Sequence, residues 1–310
     1  MFFLTLQVVT TLASFGQSQE RTYLDEFGFP TEGKDAKSFL VIEQHPTEPR
    51  KLLVTEYFVD AKIKERNTYS DIELYTKDGL STTYYPNGQK KEEGFFKENT
   101  KVSKWIKWYA NGQVMEEGHF EEAKRPYMRF KVDNSWDSLG QKHVVNQLGQ
   151  HVIFSDNSDQ FDRELGEISG GLKNGNWTGY KNEEVAYKEE YDMGKLIRGE
   201  SFDHTGRTYK YEKINDFDLT PFYNFVSNTM RYPADARRSG IQGTIVVQIL
   251  FDSEGRTIRY RLVKGIGGGC DEEALRVIDK YNGKWKGAKR RGQQIEKPQN
   301  LYLPVTFKLG

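Results

Sequence analysis

Hydrophobic and polar positions follow two rhythms along this chain. Between Tyr57 and Lys210 apolar residues come in short runs that alternate with polar ones and are broken by glycine, the period expected of strands with one face turned inward. Beyond Pro221 the spacing changes. Phe222, Phe225, Val226 and Met230 recur at helical intervals, and Pro221 suits a first helical turn, where its missing N–H is not needed. Tyr232-Pro233 breaks the pattern and Ala234 to Arg238 adds a further turn. Thr244 to Phe251 alternates, with Ile245, Val247, Ile249 and Phe251 on one face, and Thr257 to Val263 alternates again after the turn Asp252-Ser253-Glu254-Gly255. Ala274, Val277, Ile278 and Tyr281 share a stripe of a helix whose first-turn Asp271, Glu272 and Glu273 complement its dipole. Leu301, Leu303, Val305 and Phe307 line one face of a closing strand, Leu301 to Leu309. The predicted fold class is an α+β carboxy-terminal domain (helix, strand, strand, helix, strand, with an antiparallel sheet) following an all-β hairpin-repeat region.

The β region repeats. Tyr84-Tyr85-Pro86-Asn87-Gly88-Gln89, continuing to Glu92-Glu93-Gly94-Phe95-Phe96, returns 24 residues later as Trp108-Tyr109-Ala110-Asn111-Gly112-Gln113 and Glu116-Glu117-Gly118-His119-Phe120. A degenerate copy, Tyr57 to Glu65, precedes them. Asn-Gly between alternating runs predicts a hairpin on a type I′ turn, with successive hairpins stacking so that their aromatic faces bury one another. Aromatic-Tyr-x-Asn-Gly-Gln followed by Glu-Gly-x-Phe resembles the variant class of MORN-type repeats. Gly171-x-x-x-Gly175-x-Trp177-x-Gly179-Tyr180 is similar to a further divergent copy. The expected division is an export signal at 1–16, an irregular lead-in at 17–56 with one strand near Phe39 to Ile42, repeats at 57–210, a linker at 211–220 and the last domain at 221–310.

The landmarks of that last domain resemble the carboxy-terminal domain of the TonB energy transducers. They are Tyr232-Pro233, Gly240-x-x-Gly243, Asp252-x-x-Gly255, Gly265-x-Gly267-Gly268 before Asp271-Glu272-Glu273-Ala274, Trp285-Lys286-Gly287 and Pro304-Val305-x-Phe307. Thr229-Met230-Arg231 stands where that family often carries a Gln-Pro pair. The resemblance implies an adaptor whose last strand receives a short extended segment of an outer-membrane receptor. Proline cannot donate to a ladder, so a strand holding Pro304 belongs at a sheet edge, where a partner strand adds. The expected partner-binding residues are Tyr302, Pro304, Val305, Thr306 and Lys308, with Tyr232 and Pro233 beside them.

Composition narrows the partners. Net charge is zero, yet Pro221 to Gly310 carries 16 Lys and Arg against 8 Asp and Glu, while the preceding residues carry 29 against 37. The basic residues are not interleaved with aromatics as a base-stacking platform requires, so no nucleic-acid partner is expected. Met1 to Ala13 is largely apolar and Ser14-Phe15-Gly16 offers small residues for cleavage, so export to the periplasm or outside the cell is expected. That run is too short to span a bilayer, and nine scattered prolines do not make a stiff spacer.

Enzyme chemistry is not expected, nor any cofactor or metal. Gly265-Ile266-Gly267-Gly268-Gly269 sits between a strand and a helix like a phosphate loop, but three acids in the next turn repel phosphate. The five histidines lack metal-ligand spacing. Cys270, the single cysteine, follows glycines with no base beside it. The leading expectation is a periplasmic adaptor that captures an outer-membrane receptor or other envelope protein by strand addition. The alternative is a structural or antitoxin-like interaction module in which the last domain forms a homodimer through its closing strand.

Overall fold

The computed structural model describes residues 21–71, 74–122, 128–154, 161–216, 218–281, 285, 289–295 and 297–309. The expected export segment, 1–16, lies outside them. The described chain divides into two compact units between Lys213 and Ile214.

The first unit is a sheet of sixteen described strands in which each pairs antiparallel with its neighbours in sequence. It begins with β1 (Thr22–Leu24), β2 (Ser38–Gln44), β3 (Leu52–Phe58) and β4 (Ile63–Tyr69). The stretch read as a lead-in therefore supplies three strands, not one. The two legible repeats form β5 (Lys77–Tyr84), β6 (Lys90–Lys97), β7 (Thr100–Trp108) and β8 (Val114–Glu122). Then come β9 (Met128–Trp136), β10 (Lys142–Val145), β11 (Leu148–Phe154) and β12 (Arg163–Ser169). The sheet ends with β13 (Leu172–Lys181), β14 (Glu184–Asp192), β15 (Lys195–Phe202) and β16 (Thr208–Tyr211). Successive hairpins are hydrogen-bonded side by side into this one sheet, where stacked hairpins were expected. Strands joined by tight turns pair antiparallel with the next in line, and each hairpin's outer edge is satisfied by the following one.

Glycine opposite an aromatic ring is the recurring unit of the sheet. Gly94 faces Trp105, and on the other side Trp105 faces Gly118. Gly166 faces Trp177, Gly179 faces Tyr187 and Gly199 faces Tyr211. A Cβ on Gly94 would lie 2.2 Å from the Trp105 ring, on Gly166 2.4 Å from Trp177, and on Gly179 2.1 Å from Tyr187. These rings lie flat over their partner's backbone, and the glycines are required for space. Trp105, Trp177 and Tyr187 are almost wholly buried as a result.

Turns differ at the two ends of the strands. At Tyr85–Gln89 and Tyr109–Gln113 the fourth residue's N–H bonds the first carbonyl, and the first N–H bonds the fifth carbonyl. Only Gly88 (φ 86°) and Gly112 (φ 87°) have positive φ there. These are three-residue loops with a glycine bulge, in place of the type I′ turns expected from Asn-Gly. Asn87 and Asn111 keep ordinary φ and instead tie turn to turn. Asn87 Nδ2 donates to Ala110 O at 2.6 Å and Asn111 Nδ2 to Ser138 O at 2.9 Å. The Tyr85 and Tyr109 hydroxyls donate to Trp108 O and Trp136 O at 2.9 and 3.0 Å. Asp137–Gln141 is a third turn of this kind. Two-residue turns with both φ positive do occur, at Glu98-Asn99, Asn146-Gln147, Gly170-Gly171, Asn182-Glu183 and Met193-Gly194.

Carboxylates are buried beside the rings. Glu116 accepts from Lys107 Nζ at 2.5 Å and pairs with His151 Nε2 at 2.9 Å. Glu164 accepts from Lys173 Nζ and the Tyr187 hydroxyl, both at 2.6 Å. Glu189 accepts from the Tyr191 and Tyr211 hydroxyls at 2.9 and 2.8 Å. The Lys107 and His151 partners hold the Glu116 carboxyl far below its usual range against the opposing effect of burial.

The second unit is two-layered. It contains β17 (Asn215–Asp216), α1 (Thr220–Thr229), α2 (Ala234–Arg238), β18 (Gly243–Phe251), β19 (Thr257–Lys264), α3 (Cys270–Lys280), β20 (Lys289–Arg290), β21 (Gln293–Gln294) and β22 (Gln299–Phe307). Strand order is β19-β18-β22, with a separate small ladder β17-β20-β21. Ile245, Val247 and Ile249 of β18 meet Leu303, Val305 and Phe307 of β22 under Phe222, Val226, Ala274, Val277 and Ile278 of the helices. Trp285 closes this core, 4.9 Å from Phe222 and 5.0 Å from Tyr281 by ring centroids, its Nε1 donating to Thr257 Oγ1 at 2.9 Å. The other face of β18 is buried too, at Val246, Gln248 and Leu250. Gln248 is satisfied there by Arg261 Nε at 2.6 Å and Asn300 Oδ1 at 3.2 Å.

Two outcomes test this account. Gly94→Ala forces a methyl into the Trp105 ring and lowers stability by about 1–3 kcal/mol, read from the urea midpoint of the repeat unit. Glu116→Gln lowers stability at neutral pH by about 2 kcal/mol, less than a fully buried pair because Lys107 is partly exposed. A depressed carboxyl stabilises the fold above its unfolded value and loses that contribution as pH falls below it. The gap between the native protein and this variant therefore narrows below pH 4.5, which acid titration of Trp fluorescence measures.

Candidate functional site

Among the described residues β22 pairs on one side only, with β18. The register is Ile245↔Val305, Val246↔Pro304 and Val247↔Leu303. In an antiparallel ladder every second pair exchanges both backbone bonds, and residues of the intervening pairs turn N–H and C=O outward. Pro304 has no N–H to exchange, and its carbonyl accepts from the Tyr223 hydroxyl of α1 at 3.4 Å. Pro304 thus belongs to the outward set, and Tyr302 and Thr306 share its parity. The side chains of Tyr302, Pro304 and Thr306 are exposed on the sheet face away from the helices. Thr306 Oγ1 lies 3.0 Å from Thr244 Oγ1 across the ladder.

The other sequence-singled residues fall elsewhere. Val305 is 3% exposed in the core, and its backbone turns toward β18. Lys308 is exposed just past the strand's end. Tyr232 packs edge-on against Phe307 at 5.5 Å and donates its hydroxyl to Ile241 O. Pro233 meets Gly269, where a Cβ would lie 3.4 Å away. Tyr232 thus braces the end of β22 from the helix side, and Pro233 packs at the start of α3. Tyr223, which sequence reading passed over, is the residue that reaches the edge. Its place one turn before Ser227 on an amphipathic helix, next to buried Phe222, marked only a half-exposed surface position.

The glycine-rich segment before α3 is already occupied by the chain itself. The Asp271 carboxylate accepts from Ile266 N at 2.8 Å and from Gly267 N at 3.2 Å. A Cβ on Gly268 would lie 2.7 Å from Ile241. These N–H groups and this spacing serve packing, not phosphate. Burial, with Asp271 and Glu272 adding to it, pushes the Cys270 thiol upward, which works against a reactive thiolate. Among the described residues no group of three or more His, Cys, Asp or Glu is placed to hold a metal, and no helix is long and apolar enough to cross a membrane.

The edge-strand domain is similar to a known family. Residues 228–309 match the family described as Gram-negative bacterial TonB protein C-terminal. Residues 77–98 and 101–122 each match the MORN repeat variant. A stretch of 80 residues is 31% identical to protein TonB of Vibrio cholerae serotype O1, covering 26% of this chain and 31% of that protein. The chain thus spans under a third of the length of the curated relative it matches.

Cys270 gives a direct check on the chemistry of this region. Its burial makes alkylation by iodoacetamide slow in the folded protein and fast once urea unfolds the domain. Rapid native labelling would show an accessible thiolate and reopen a catalytic reading.

Proposed function

We propose that this protein is a non-enzymatic adaptor of the bacterial envelope. Its carboxy-terminal domain takes an extended segment of an outer-membrane receptor or another envelope protein as an added strand on β22, in the service of transport across the outer membrane. The observation that carries this reading is the border position of β22, with Pro304 and its neighbours of like parity turned outward. A border strand offers unpaired main-chain groups, and an extended guest satisfies them while alternate side chains lie on the sheet faces. Similarity of this domain to the TonB carboxy-terminal family supports a receptor as the guest. A periplasmic location follows from the same reading, with the export signal expected at the start of the chain.

The reading is tested by titrating the isotope-labelled full chain with synthetic peptides copied from periplasm-facing termini of outer-membrane receptors. Amide shifts centred on Tyr302 and Thr306 are expected. Shifts confined to the repeat sheet, or none, would overturn receptor capture. Shifts at β22 that depend on protein concentration without peptide would favour a homodimer through that strand.

A further inference from the structure

We propose that the Tyr223 hydroxyl supplies the hydrogen-bond donor that Pro304 lacks, so that a guest strand on β22 meets no gap in its ladder. The proposal rests on strand addition at β22 and adds a binding residue to it.

The gap follows from covalent chemistry. A guest residue opposite an outward-facing position gives its N–H to the host carbonyl and takes the host N–H on its own carbonyl. Opposite Pro304 the first bond forms and the second has no donor. The guest carbonyl would be left unpaired between two strands, and orphaned backbone acceptors in such places are costly. Strand addition centred on Pro304 therefore needs a donor from outside the ladder.

Tyr223 is built to be that donor. Its Oη lies 3.4 Å from Pro304 O, long beside the usual O–H···O distance of about 2.7–2.8 Å. The contact marks where the hydroxyl reaches without holding it firmly. Tyr223 is 40% exposed, so its tip can turn from the host carbonyl to a guest carbonyl beside it. The helix that carries it is fixed. Phe222 is fully in the core, and Arg276 ties α1 to α3 by bonding both Thr229 O at 3.1 Å and the Glu273 carboxylate at 2.6 Å. A tyrosine has few rotatable bonds, so directing its hydroxyl costs little entropy. Partial burial raises its phenol pKa, which keeps the proton on oxygen across the neutral range. The opposite role, a plug that competes with the guest for Pro304 O, uses the same contact and predicts the opposite sign on removal.

The test is calorimetric titration of the full chain with a receptor-derived peptide that shifts the β22 amides, using Tyr223→Phe, Pro304→Ala and the double variant. Tyr223→Phe is expected to weaken binding about five- to tenfold, the effect of one lost hydrogen bond with an unpaired carbonyl. Pro304→Ala restores a backbone N–H, and in that background Tyr223→Phe is expected to change affinity less than twofold. Unchanged or tighter binding by Tyr223→Phe alone would overturn the proposal, as would an equal loss in both backgrounds. A peptide whose carbonyl opposite position 304 is reduced to methylene needs no host variant beyond Tyr223→Phe. It should bind the native chain and that variant equally, and a persisting difference would also overturn the proposal. If the native chain binds no peptide, strand addition itself fails, an outcome distinct from all of these.

Discussion

An aromatic ring lying flat on the backbone of a glycine in the next strand is the contact on which the repeat unit depends. In an antiparallel pair, Cβ atoms directly opposite approach to about 4.5–5.5 Å, and a ring fits over its partner only if that partner has no Cβ. Gly94 therefore sits under Trp105, Gly118 under Phe130, and Gly166, Gly179 and Gly199 each under one ring. Sliding any strand by one residue would drive a Cβ into a ring and turn the rings outward. Register is thereby set locally at each hairpin. The buried carboxylates follow from the same geometry, since a ring over a glycine leaves room beside it for Glu116 or Glu164, and lysine and tyrosine donors satisfy them.

The carboxy-terminal unit solves the edge problem differently. Along the repeat sheet each hairpin's edge is met by the next, whereas among the described residues the three-stranded sheet ends at β22. Pro304 brings no N–H to that border, so a strand added there would need a donor from outside the ladder. Yet Tyr302 and Thr306 keep the outward parity on either side of it. The helices contribute by fixing Phe222 in the core and bringing Tyr223 to the edge.

Each of the two units carries its own family match. The smaller one carries the match to the Gram-negative bacterial TonB protein C-terminal family. The larger matches repeats of the MORN variant at its two clearest hairpins, although the sheet extends from Thr22 to Tyr211. The flanking strands kept the pairing geometry while losing the motif. At the third turn Trp136, Gly140 and Gln141 stand 28 places after Trp108, Gly112 and Gln113, but Asn is replaced by Leu139. Trp at the strand end and Gly-Gln at the turn were the signal that a search anchored on Asn-Gly overlooked.

By itself the sequence determined the change from period two to helical spacing near Pro221, the inward set of the closing strand, and the border position that Pro304 demands. These are local consequences of side-chain periodicity and of a missing N–H. Asn-Gly announced its turns but not their type, because a glycine bulge and a type I′ turn both accept that pair. Whether hairpins stacked or joined edge to edge was settled by pairing of each hairpin's last strand with the first strand of the next. Val305 illustrates the limit most plainly. Adjacent residues in a strand turn their backbones to opposite sides, and only pairing with β18 decided that Pro304 faces outward and Val305 does not. Tyr223 was beyond sequence reach for the same reason, since only the packing of α1 brings a helix residue 81 positions away to the carbonyl of Pro304.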